Sequence, residues 1–324
     1  MMRMDDPLLQ FESPLRQSMA QLARVDALVQ AQRAWNLKEV VQTAHLLTVQ
    51  AHPKARSFVG WALTSATHPD IKLLLQRYLR MCDFIDTCPA IADTQAQSDL
   101  VEKLYATDGF TLIKGSHRPE VLVVVFTTVY NNFGISNLML FGLLRASGVS
   151  VLLLRDGTRA SYLAGASGMG HDLDTCVASI SRLASELQCQ KILVTGYSSG
   201  GFASYYVSTK LDCAGYLGFS IVSDMRLDTT LPTDVFISKD IRNMVDPKFL
   251  VELSGLTDTN RNGVPRRVVV GANSEVDQRF ADLIVGVPRL EVIKVPDCRH
   301  DTPEAMLPTG QLQAQFDWLL AQAN

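Results

Sequence analysis

Apolar positions change their rhythm partway along the chain. Over 14–34 they recur at helical spacing (Leu15, Met19, Leu22, Val25, Leu28, Val29), and over 37–50 the pattern repeats with Val40, Val41, Ala44 and Leu47. Pro53 stops that second helix. Residues 54–67 form a third, and His68-Pro69-Asp70 opens a fourth through about Met81, with Pro69 suited to an early helical position. Residues 83–108 are polar and irregular. From 109 onward the rhythm becomes short apolar runs of strand length, at 110–114, 121–127, 149–155, 191–195, 216–222, 267–270 and 290–295. Helical patterns lie between or after them, near 135–147, 172–188, 200–211, 276–285 and 311–322. Nearly continuous β-branched runs alternating with helices predict an α/β domain, a mainly parallel sheet covered by helices on both faces, preceded by an all-α helical-hairpin region.

Glycine usage agrees with this division. Only Gly60 precedes Gly109, although the chain has 20 glycines in 324 residues. Glycine serves tight turns and close backbone approach, so its scarcity at the front suits helix hairpins. The expected organisation is a helical region over 1–82, a linker over 83–108 and an α/β domain over 109–324. Residues 225–263 interrupt the alternation with charges, a predicted helix near 246–254 and a polar turn at 258–263. They read as an insertion placed where a lid would sit.

Bulk composition removes several functions. Hydrophobic residues make up 47% and charged residues 19%, which describes a globular chain. The net charge of −3 offers no electrostatic footprint for nucleic acid. No apolar run approaches the ~20 residues of a membrane helix, and the N-terminus carries acids where a secretory signal needs an apolar core. Six scattered cysteines without CxxC spacing read as reduced thiols in a cytoplasmic protein. No metal is expected, because neither HExxH nor a His/Cys cluster at ligand spacing is present. No nicotinamide cofactor is expected either, since 165–170 (GASGMG) does not open a helix directly after a strand.

The chemistry concentrates at 191–201, KILVTGYSSGG. A strand runs into Gly196-Tyr197-Ser198-Ser199-Gly200 and a helix follows, the context that a G-x-S-x-G nucleophile turn requires. Small residues two before and two after Ser198 permit the sharp turn that lifts its hydroxyl above the strand ends. The same turn aims the Ser199 amide at a developing oxyanion. A serine nucleophile needs a base, and the base an orienting acid. Of six histidines, His45, His52 and His68 lie in the helical front, His117 in a polar turn and His171 in a glycine-rich loop. His300 alone follows the last predicted strand, which fits the order serine, acid, histidine. The acid belongs after 267–270. Asp277 is the first choice, then Glu275, with Asp224 after the 216–222 strand as a third; the position three after Gly271 holds Ser274. Asp277 would otherwise cap the following helix. The second oxyanion amide belongs to the loop after 121–127, from Val129, Thr128 or Tyr130, with Asn131 and Asn132 as side-chain alternatives.

On these residues, 110–322 resembles the α/β-hydrolase superfamily. The segments 152–170 and 194–220 further resemble hydrolase-like proteins of bacterial glycan and capsule machinery, where an arginine–aspartate pair ends a strand and a Tyr-x-x-Gly segment follows. Arg155, Asp156, Tyr162 and Gly165 match that arrangement. With Tyr197, Arg155, Asp156 and Tyr162 are expected to line the substrate site. Residues 33–53 resemble part of a tetratricopeptide-type hairpin, which implies docking of a protein partner or self-association through the N-terminal helices. The resemblance implies a serine esterase acting on a small-molecule or glycan ester, carbohydrate O-acyl or O-acetyl groups included. An acyltransferase with the same residues, or a non-catalytic hydrolase-fold scaffold in glycan assembly, are the alternatives.

Overall fold

The computed structural model describes residues 54–87, 109–129, 131–259 and 263–324, with scattered positions between 40 and 48 and between 100 and 104. The helix expected at 14–34 lies outside the described residues, as does most of the 33–53 segment that resembles a tetratricopeptide hairpin. The chain divides into two compact units. One contains the front helices and Ile135–Gly142, and the other comprises Asp108–Gly134 and Leu143–Asn324.

In the first unit, α1 (Ala55–Ser65) and α2 (Pro69–Thr87) are joined by a three-residue turn. Helix α1 buries Ala55, Phe58, Val59 and Ala62, one face at helical spacing. Helix α2 buries Leu75, Tyr78, Cys82 and Ile85 in the same manner. That face explains why α2 continues beyond Met81, where the sequence pattern ended it: Ile85 extends the buried stripe by one turn. Arg56, early in α1, pairs with Asp83 and Asp86 late in α2, so the two helices run antiparallel. All three partners are half exposed, and such pairs add little stability.

The second unit is built on seven strands: β1 (Thr111–Ile113), β2 (Arg118–Phe126), β3 (Val149–Leu154), β4 (Lys191–Tyr197), β5 (Gly215–Phe219), β6 (Arg266–Gly271) and β7 (Leu290–Val295). Their spatial order is β1-β3-β2-β4-β5-β6-β7. Only β1 runs antiparallel to its neighbour; all other pairs are parallel. The chain further contains α3 (Asn137–Arg145), α4 (Leu173–Glu186), α5 (Ser199–Lys210), α6 (Lys239–Asn243), α7 (Glu275–Ile284), α8 (Thr302–Met306) and α9 (Gln311–Ala321). Side chains alternate across the strands, so the sheet has two apolar faces. On one, Val124, Val194, Tyr216 and Val268 join Ile180 of α4, Phe202 and Val207 of α5 and Phe280 of α7 in a single buried cluster. On the other, Phe219 packs on Phe316 of α9 and on Phe133, with ring centroids 6.0 and 5.6 Å apart. Burying each such side chain contributes about 1.5–3 kcal/mol.

The segment after β5 is pinned to this body. Phe249 and Leu253 are fully buried, Lys248 reaches Asp174 of α4 at 2.9 Å, and the Thr259 amide donates to the Thr209 carbonyl. The helix expected at 246–254 is absent. Met225 N–H donates to the Val251 carbonyl and Leu253 N–H to Ser223, and this strand-like pairing holds the chain extended between two short 3₁₀ turns. No described helix is long and apolar enough to cross a membrane.

Candidate active site

Strand β4 ends in a backbone that few residues adopt. Ser198 has φ 53° and ψ −117°, a conformation that costs about 1–3 kcal/mol and persists only when its surroundings impose it. Its N–H donates to the Phe219 carbonyl at 3.0 Å, and its own carbonyl accepts from Gly201 N–H at 2.9 Å. The flanking glycines are required by close approach. A Cβ on Gly200 would lie 2.6 Å from the Phe126 carbonyl oxygen and closer still to that of Thr127, while one on Gly196 would overlap Ser204. The turn therefore sits directly against the end of β2.

Ser198 Oγ lies 2.7 Å from His300 Nε2, and His300 Nδ1 lies 2.8 Å from Asp277 Oδ1. With the ring proton on Nδ1 donating to the carboxylate, Nε2 accepts from the serine hydroxyl. Asp277 is 1% exposed and stands in the first turn of α7, where the helix N-terminus favours negative charge. It does not cap that helix: Ser274 does, accepting from the Asp277 amide. Because Ser274 takes the capping position, the Asp277 side chain is left to turn inward toward the imidazole. Its second oxygen, Oδ2, is buried with no hydrogen-bond partner among the described residues.

The other two carboxylates lie elsewhere. Glu275 is exposed at the start of α7. Asp224 is buried in a cage of its own, accepting from Arg226 Nη2 at 2.8 Å and Thr229 Oγ1 at 2.6 Å, while Arg226 also pairs with Glu252. Burial alone would raise the Asp224 carboxyl, but the bonds from Arg226 and Thr229 outweigh it and hold the group below the ordinary carboxylate value. A depressed folded-state pKa gives stability that is present above the unfolded value and is lost as pH falls through the folded one. Asp224→Asn is therefore expected to lower unfolding stability by about 2 kcal/mol at neutral pH and by much less near pH 3. Urea titrations at the two pH values read this, and a pH-independent loss would remove the charge from the explanation.

The imidazole is flanked by two aromatic rings. The Tyr197 ring centroid is 5.6 Å and that of Phe236, from the segment after β5, is 5.0 Å from it. Tyr197 OH donates to the His300 carbonyl at 3.3 Å. Phe236 carried no sequence signal, because its contact is made by a segment remote in the chain. The His300 loop is held by Asn273 N–H, which donates to the Cys298 carbonyl at 2.8 Å. Cys298 itself is buried.

Two sequence expectations change. Arg155, Asp156 and Tyr162 are fully or almost fully buried, so they do not form an open lining. Arg155 reaches Thr111 Oγ1, Asp156 accepts from the Thr158 and Tyr162 amides, and Tyr162 OH lies 3.1 Å from Thr127 Oγ1. They brace the ends of β2 and β3. Burial pushes the Tyr162 phenol well up, so it stays neutral. In the loop after β2, the Thr128 amide donates to the Asn132 carbonyl at 2.8 Å and the Val129 amide to Ser199 Oγ at 3.0 Å. Both amides are thus committed. Asn132 Oδ1 accepts from Gly134 N–H, and Tyr130 lies outside the described residues.

No protein-family model matches the chain, and no curated protein matches it. Among solved structures it is similar to the 2,6-dihydroxy-pseudo-oxynicotine hydrolase, with 14% identity and a TM-score of 0.51 over 92% of this chain and 84% of that one. It is also similar to the esterase Est2 from Thermogutta terrifontis, with 16% identity and a TM-score of 0.46 over 65% of this chain and 86% of that one. An alpha/beta hydrolase fold protein from Nakamurella multipartita shows 15% identity and a TM-score of 0.46, covering 66% of this chain and 96% of that one. At such identities likeness speaks to architecture alone. With its one antiparallel edge strand, its parallel sheet and its strand–turn–helix at Ser198, the chain has the α/β-hydrolase fold.

Proposed function

We propose that the protein is a serine hydrolase that cleaves esters, with Ser198 as nucleophile, His300 as base and acid, and Asp277 orienting the imidazole. The observation that carries this reading is the unbroken chain from Ser198 Oγ through both ring nitrogens to a buried carboxylate, at 2.7 and 2.8 Å. Ser198 Oγ attacks the acyl carbon as its proton passes to Nε2, and the carbonyl electrons move onto the oxygen. That oxyanion is met by the Ser199 amide, which opens α5 and has no intrahelical acceptor. The tetrahedral centre collapses, and the leaving alcohol takes the proton from His300. Water then attacks the acyl-serine by the same exchange and releases the acid.

The aromatic walls offered by Phe236 and Tyr197 support neutral acyl groups as substrates. The resemblance of 152–170 to proteins of glycan machinery supports including O-acetylated sugars among them. Acyl transfer to an added alcohol would use the same residues.

The test is a fluorophosphonate probe, which reacts with an activated serine irrespective of the natural substrate. One label per chain is expected, on the peptide bearing Ser198 as located by mass spectrometry. Folded protein that takes no label, or takes it on another residue, would overturn the proposal.

A further inference from the structure

The loop after β2 would ordinarily be asked for a second oxyanion donor, yet its described amides are spent. Thr127 N–H donates to Leu154, Thr128 N–H to Asn132 and Val129 N–H to the hydroxyl of Ser199. The last of these is informative. Ser199 Oγ is buried, it accepts from Val129 at 3.0 Å, and its own proton has no acceptor among the described residues. A hydroxyl that already accepts a hydrogen bond is a stronger donor, through mutual polarisation along the chain. The amide and the hydroxyl of one residue are three bonds apart, and this residue directly follows Ser198.

We infer that Ser199 supplies both oxyanion donors, its backbone N–H and its side-chain O–H, with the Val129 amide orienting and polarising that hydroxyl. This rests on the reading of Ser198 as nucleophile and adds to it a catalytic side chain. The hydroxyl touches the acyl oxygen as charge develops there. No proton is transferred from Ser199, because the oxyanion collapses while hydrogen-bonded.

The experiment compares wild type with Ser199→Ala and Ser199→Thr. It measures turnover of p-nitrophenyl acetate and inhibition by a trifluoromethyl ketone, whose adduct with serine carries the oxyanion. Ser199→Ala is expected to lower kcat by about 10²-fold with KM changed less than about threefold, the size seen when one oxyanion donor is removed. It should weaken ketone inhibition by the same factor as kcat/KM. Ser199→Thr, which keeps a hydroxyl, should recover most of the loss. The inference is overturned if Ser199→Ala keeps or gains activity, which would make the hydroxyl a mere clip or plug, or if Ser199→Thr is no better than alanine. It is also overturned if the loss appears in KM while ketone inhibition is unchanged. A wild type that neither takes the fluorophosphonate label nor hydrolyses the ester would instead remove the underlying reading, and with it this one.

Discussion

Asp277→Asn is expected to slow fluorophosphonate labelling and ester turnover by about 10⁴-fold while leaving the protein folded. The reason lies in the tautomer. Asp277 Oδ1 accepts from His300 Nδ1, which leaves Nε2 as an acceptor for Ser198. An asparagine can offer its amide N–H to Nδ1, and the ring proton then moves to Nε2, where it blocks the serine. Asp277 is also the one carboxylate of the three candidates that the structure brings to the imidazole, so substitution at the other two supplies the comparison. Glu275→Gln removes an exposed charge and should keep labelling within about threefold. Asp224→Asn loosens the cage around Arg226 and should lower stability without a comparable loss of rate. Labelling rates of the three variants, with thermal melts beside them, decide the matter. If Asp277→Asn stays within tenfold of wild type, or if Asp224→Asn loses as much, the imidazole is oriented by another group in the protein.

This ambiguity among carboxylates shows where the sequence stopped being readable. The strands were legible because runs such as Val121–Phe126 are apolar on both faces, a pattern that only a doubly covered sheet satisfies. The turn at Ser198 was legible because steric limits on Gly196 and Gly200 are local to five residues. The acid was not, because counting three from Gly271 reaches Ser274. Which of Ser274 and Asp277 caps α7 is decided by how the chain enters the helix, and only that leaves Asp277 free to turn inward. Residues 246–254 misled for the converse reason. Phe249, Leu250 and Leu253 have spacing that a helix would use, but pairing with 223–225, a segment remote along the chain, holds the backbone extended. Arg155, Asp156 and Tyr162 are expected at the site through resemblance alone, because they match an arginine–aspartate pair and Tyr-x-x-Gly arrangement and not because any local physical constraint places them there. The structure turns them into the interior, where each finds a backbone or hydroxyl partner.

Gly271→Ala should reduce turnover by at least about 10²-fold through a residue that touches neither Ser198 nor substrate. Gly271 ends β6, and the loop carrying His300 crosses it so closely that an added methyl has no room. It would overlap the Arg299 carbonyl oxygen and lie 2.5 Å from that of Cys298 and 2.6 Å from the Arg299 carbonyl carbon. All three are main-chain atoms, so no side chain can rotate aside; the loop itself must move. Overpacking of this kind costs about 1–3 kcal/mol. The larger consequence is geometric. His300 follows Arg299 directly and bridges two partners at 2.7 and 2.8 Å, and a displacement of about 1 Å breaks at least one of those bonds, which costs about 10²-fold in rate. Gly255→Ala serves as the control, since a Cβ there meets nothing within 4 Å, and it should leave both rate and stability near wild type. The decisive readout is the ratio of rate loss to stability loss. A folded Gly271→Ala protein with slow labelling places the damage at the imidazole. Wild-type labelling at an unchanged melting temperature would mean that the loop can yield, and that the packing of His300 against β6 does not govern its approach to Ser198.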